Sequence, residues 1–161
     1  MTIGHGLAQT PELIIVKSRG RSPSHWVTGS SVTNMGFSAD KYMYLNSDLM
    51  PATNSAWWNS NNPTASVFSV GTDADINEST ETYISYIFHS VEGYSKIGSY
   101  TGNSSTDGTF IYTGFRPAYL MVKRTTGSVN GSQWAIWDDA RNTYNVADAT
   151  LKADTNGAEE T

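Results

Sequence analysis

The chain has 161 residues, a formal net charge of −5, a charged fraction of only 16% and no cysteine. That length suits one core-bearing domain, or two small halves sharing a core. The acidic balance leaves no basic stripe to displace counterions from a phosphate backbone, and no apolar run reaches the roughly 20 residues of a membrane helix, so neither nucleic-acid binding nor membrane insertion is expected.

The lack of cysteine excludes disulfides and thiolate metal sites, and fits assembly in a reducing cytosol. Met1-Thr2-Ile3-Gly4-His5 has none of the features of a signal peptide. Ser, Thr, Asn and Gly dominate the polar residues beside nine Tyr and five Trp. This is the composition of half-buried sheet rather than helix.

In chain order, Leu13 to Lys17 is a short apolar run opened by Pro11 and predicts a buried strand. Gly20 to Ser24 is a loop, and His25 to Thr28 the returning strand of a wide hairpin. Lys41 to Asn46 is aromatic-rich and ends on turn residues. Ser55 to Thr64 reads as a polar loop interrupted by Trp57 and Trp58. Ala65 to Val70 is a short strand with Ser66, Phe68 and Val70 on one face. Thr82 to His89 carries the strongest strand signal, and Tyr83 to Phe88 within it is expected to be the central strand, with Ile84, Tyr86 and Phe88 sharing a face. Gly93, Gly98 and Gly102 predict short strands with turns from Glu92 to Asn103. Thr109 to Gly114, Tyr119 to Thr125 and Trp134 to Trp137 complete the set. No stretch holds a helical period over three turns.

The chain also repeats itself. Pro11 to Lys17 (PELIIVK) is answered by Pro117 to Lys123 (PAYLMVK), and each run leads through a polar connector to a tryptophan, Trp26 and Trp134. Leu45, Asp48 and Ala52 stand at one offset from Leu151, Asp154 and Ala158. The expected architecture is therefore all-β, an antiparallel β-sandwich built from an internal duplication, in one domain over residues 1–161. The first copy runs from about residue 5 to 103, and a partial second copy from about 109 to 161. The second copy lacks counterparts of the strands at 65–70 and 82–89. The region from Trp134 onward is accordingly expected near a subunit contact.

Few residues point to chemistry. Asp73-Ala74-Asp75-Ile76-Asn77 has the alternating oxygens of a calcium loop, but Glu78 and Ile84 stand where such a loop needs Gly and a bidentate Glu. His5, His25 and His89 are too scattered for a zinc motif. No metal, cofactor or catalytic residue is assigned, and the chain does not read as an enzyme. Asp138 is expected to pair with Arg141 or to close a turn. The candidate binding surface is Trp57, Trp58, Asn59 and Asn61, where flat rings stack on sugars and amides bond hydroxyls. The alternative is that one ring plugs the core and the other covers an edge.

Tyr83 to Asn103 and its continuation Thr109 to Lys123 resemble an uncharacterised domain of tailed-bacteriophage tail fibre and virion proteins, mostly marine. His5-Gly6-Leu7 with Pro11 to Lys17, and Trp134 to Arg141, fit the same family. Such domains often sit beside lectin-like modules. The resemblance implies a structural virion protein assembled in the host cytoplasm, in the tail fibre or adsorption apparatus. Its partners would be other virion proteins and copies of itself, a trimer being favoured, with a host-surface glycan as a further target. The alternatives are a capsid decoration (cement) protein and a carbohydrate-binding module.

Overall fold

The computed structural model describes residues 1–127, 132–144 and 146–161; the middle of the polar connector before Trp134 lies outside them. In chain order the strands are β1 Thr2–Gly4, β2 Leu13–Ser18, β3 Trp26–Ser30, β4 Lys41–Tyr44, β5 Ala52–Thr53, β6 Val67–Ser69, β7 Tyr83–Phe88, β8 Tyr119–Val122, β9 Ala135–Asp138 and β10 Leu151–Lys152. Two one-turn helices, α1 Ser55–Trp58 and α2 Ala74–Asn77, interrupt them. The fold is all-β. A five-stranded sheet runs β5-β4-β3-β2-β7, a three-stranded sheet runs β10-β9-β8, and β1 pairs with β6. Every pairing is antiparallel.

The main sheet has two apolar faces, because β2 is a continuous run rather than an alternating one. Ile14, Val16 and Val27 point to the first face and are closed over by Trp57, Trp58, Phe68, Val70 and Ile76. Gly29 makes this closure possible: a Cβ there would lie 2.5 Å from both the Phe37 and Trp58 rings. Gly71 lets α1 approach, since a Cβ would meet the Ala56 carbonyl oxygen at 2.2 Å. The second face carries Met43, which with Met35 packs against Trp134, flanked by Leu45, Met121 and Ala153. That cluster is where the three-stranded sheet meets the five-stranded one.

β7 is an edge strand, not the central one. Its faces divide as the alternation predicts. However, Tyr83 and Ile87 are the residues that pack on the core, while Ile84, Tyr86 and Phe88 stand on the more open side. The strands expected over Glu92 to Asn103 and Thr109 to Gly114 do not form; the first contributes one bridge, Val91 to Ser95, and the second none. A strand is stable only with a partner for its N–H and C=O groups, and beyond that bridge these segments pair with no strand among the described residues.

The hairpins β2–β3 and β8–β9 share one register. Leu13 faces Ser30 and Val16 faces Val27, as Tyr119 faces Asp138 and Val122 faces Ala135. The correspondence continues outward with a separation of 108 residues, that from Trp26 to Trp134. Thr28 with Met43 matches Ile136 with Leu151, and Tyr42 with Ala52 matches the bridge of Thr150 with Glu160. Leu45 donates its N–H to the Trp26 carbonyl, as Ala153 does to that of Trp134. The Trp26 N–H reaches the side chain of Asn46, and the Trp134 N–H that of Asp154. Geometry thus matches Met43, not Leu45, to Leu151. The offset read from Leu45, Asp48 and Ala52 is two residues short, because the loop before Trp134 is longer than its counterpart.

Candidate functional site

Trp57 and Trp58 do not form a surface platform. They are 2% and 1% exposed, so neither ring face is open to a sugar. Asn54 starts α1 by accepting the Ala56 N–H on its side-chain oxygen, and this single turn lays both rings onto the sheet. Trp58 sits edge-on to Phe37 and donates its indole N–H to the Lys41 carbonyl at 2.9 Å. Trp57 joins Tyr42 and Tyr44 in an aromatic cluster. The physical reason is area: two adjacent indoles gain more from closing over Val27 and Gly29 than from standing in water.

Asn59 and Asn61 are exposed, but they shape the turn after α1. Asn59 ends the helix in the left-handed region at φ 53, a conformation Asn tolerates better than most residues. The next residue, Ser60, is held by both oxygens of Asp40, at 2.7 Å from its N–H and 2.6 Å from its hydroxyl. The Asn61 amide folds back onto the Asn59 carbonyl.

The residues that do gather polar groups around a hollow are Arg21, His25, Tyr44, Trp57, Asp73 and Asp75, enclosing about 340 Å³. Asp75 is its centre. It accepts the Arg21 guanidinium at 3.0 Å and the His25 backbone N–H at 3.3 Å. The His25 ring stacks on Tyr44 with centroids 3.9 Å apart. Burial, and next the neighbouring Tyr42, raises the Tyr44 phenol above its ordinary range. Asp73 caps α2 through the Asp75 N–H. The Asp73–Asn77 run is therefore a helix cap and an ion pair rather than a cation loop. Its carboxylates are already engaged, and what the hollow offers a small ligand is ring faces and the outer N–H groups of Arg21.

The remaining candidates are structural. His5 bonds the Thr64 carbonyl and His89 the Ser90 carbonyl. Asp138 pairs with Arg141 at 2.7 Å and accepts its backbone N–H, which holds the Asp138 carboxyl below its usual range. Arg141 also reaches Glu159 at 2.9 Å and the Ala149 carbonyl. It thereby ties the tail to β9. Among the described residues no group of three His, Asp or Glu stands close enough to hold a metal, and no helix is long and apolar enough to cross a membrane.

Sequence reasoning missed the Arg21–Asp75–His25 cluster, because its members lie about fifty residues apart and meet only when α2 docks beside β3. The glycine inside β3 was the one available signal that large rings would be buried there. No curated protein and no solved structure matches the chain. A family model described as Domain of unknown function (DUF7483) matches residues 1–161, and the chain belongs to that family.

Proposed function

We propose that this is a non-enzymatic structural protein of a tailed-phage particle, working by assembly with neighbouring virion subunits in the tail fibre or adsorption apparatus. We also read the matched β2–β5 and β8–β10 registers as an internal duplication that builds two facing sheets. One observation carries the assembly role. Phe110 and Tyr112 are 86% and 79% exposed, and Ile111, Tyr119 and Leu120 beside them in sequence are exposed as well. Soluble monomers rarely leave such a concentration of large apolar side chains in water, and where it occurs it marks a contact surface. The resemblance of Tyr83 to Asn103 and Thr109 to Lys123 to tail fibre and virion domains supplies the setting. With Trp57 and Trp58 in the core, host-glycan binding through that pair is not proposed.

The test is location. Antibody labelling and peptide mass spectrometry of purified particles of a phage that carries this gene should find the chain at the tail. Its absence from intact particles would remove the proposal. Light scattering of the purified 17.5 kDa chain reads the oligomer directly; trimer mass is the expected result.

A further inference from the structure

We infer that the Phe110–Tyr112 segment, the free edge of β8 and the outer face of β8–β9 form one docking surface, built to receive a polypeptide segment with the chemistry of Ser55–Phe88. The inference rests on the register match and stands whether or not the protein belongs to a phage tail.

Three features of the three-stranded sheet each lack what their counterpart in the five-stranded sheet has. The first is an edge. β2 is bonded on one side to β3 and on the other to β7, from Leu13 with Phe88 to Ser18 with Tyr83. β8 matches β2 and is bonded to β9, but no described strand takes its other side. Arg19 donates its N–H to the Thr82 carbonyl, and bonds alternate along a strand, so the odd-numbered β2 residues face β7. Their counterparts on the open edge are Tyr119, Met121 and Lys123.

The second is a face. Ile14, Val16 and Val27 are buried under α1, β6 and α2. Their counterparts are Leu120, Val122 and Ala135, of which Leu120 is 48% exposed. The third is a strand. Gly6 at φ 70 and Gly114 at φ 84 are left-handed glycines 108 residues apart, whereas Leu13 and Tyr119 are 106 apart; matching the two glycines makes the link to the next strand two residues shorter in the second half. With the glycines' separation β1 falls on Phe110–Tyr112. β1 pairs with β6, Ile3 facing Phe68. Phe110–Tyr112 has no such partner among the described residues, and its rings stand in water.

All three missing elements, the β7 edge strand, the covering helix and β6, come from one stretch of the first half, Ser55–Phe88. A single segment of that kind would satisfy them together. It would add an antiparallel strand to β8, the recognition mode in which backbone groups give affinity and alternate side chains give specificity. One departure sets a constraint. Trp137 stands where β3 has Gly29, the glycine that admits the Trp58 ring. The incoming segment must therefore carry a small residue at the position of Trp58.

The probe is a peptide of residues 54–90 with Trp58→Ala, added to the full chain while amide exchange is followed by mass spectrometry. Saturable binding is expected, with new protection at Phe110–Tyr112 and at Tyr119, Met121 and Lys123. Tyr119→Pro removes one outward N–H at an edge position that tolerates proline, and should weaken binding about tenfold with the fold retained. Fusing the same segment after Thr161 raises its effective concentration and guards against weak affinity in trans. If neither the added nor the fused segment protects these amides, the proposal is overturned. Protection of the same edge in the chain alone, rising with concentration and accompanied by dimer mass, would overturn it too, because the occupant would then be a second copy.

Discussion

Trp134 donates its indole N–H to the backbone carbonyl of Tyr44 at 2.9 Å, across ninety residues of sequence. The bond joins the three-stranded sheet to the rim of the five-stranded one. It sits beside the only methionine-rich cluster among the described residues, and the Lys123 ammonium lies 5.8 Å from the same ring. Replacing Trp134 with Ala removes the ring, its bond and the cover of Met35 and Met43. The expected cost is roughly 3–5 kcal/mol. Trp134→Phe keeps most of the area and should cost about 1–2 kcal/mol. No loss for Trp134→Phe in urea titrations would show that the indole N–H contributes nothing.

Gly29 gives a test of close packing without loss of any atom. In Gly29→Ala the new methyl would press on Phe37 and Trp58 at 2.5 Å, and the expected destabilisation is about 1–3 kcal/mol. Gly98, with open space around it, serves as the control, and Gly98→Ala should stay within about 0.5 kcal/mol. A melting temperature unchanged by Gly29→Ala would mean that the Trp58 ring stands clear of β3.

Two phenylalanines separate core from edge. Phe68 is buried in the first cluster, whereas Phe88 is 45% exposed on the outermost strand. Phe68→Ala should cost roughly 3–5 kcal/mol and Phe88→Ala no more than about 1.5 kcal/mol. The reverse order would place β7 inside the sheet and contradict the order β5-β4-β3-β2-β7.

Alkaline pH probes Tyr44. Its phenol is raised above the ordinary value of 10.0, first by burial and then by Tyr42. Below about pH 10 both folded and unfolded chains hold the proton, and the contribution is fully present. As pH rises past that value the unfolded chain releases its proton first, so stability falls. Tyr44→Phe should flatten the decline above about pH 10. Parallel curves for the two proteins would assign the decline to other groups.

Much of the sheet was legible in the residues. Leu13 to Lys17, Tyr83 to Phe88 and Tyr119 to Val122 are β-branched or aromatic runs bounded by Pro, Gly or polar turns, and each is a strand. The Asp138–Arg141 pair was readable from its spacing. Which strand lies centrally was not, because burial belongs to neighbours: β7 has the best strand composition but, among the described residues, only one partner, β2. Trp57-Trp58 misled because polar Asn and Ser flank it. Those flanks are a helix cap and a left-handed turn, local devices that leave the rings free to turn inward. Phe110–Tyr112 has a strand's composition but no strand partner among the described residues, and composition alone carries no record of a partner.

The pairing of Leu13 with Phe88 has a consequence in time. β2 and β3 are adjacent in sequence and can form a hairpin early, but β7 joins them only after a loop of some seventy residues has closed. Loop closure over that distance precedes the contacts that reward it, which slows folding. On a ribosome adding about 5–20 residues per second, β2 emerges several seconds before its outer neighbour. Throughout that interval the outward backbone groups of Leu13, Ile15 and Lys17 stand open along the β2 edge, and a nascent chain beside another is then at its most adhesive.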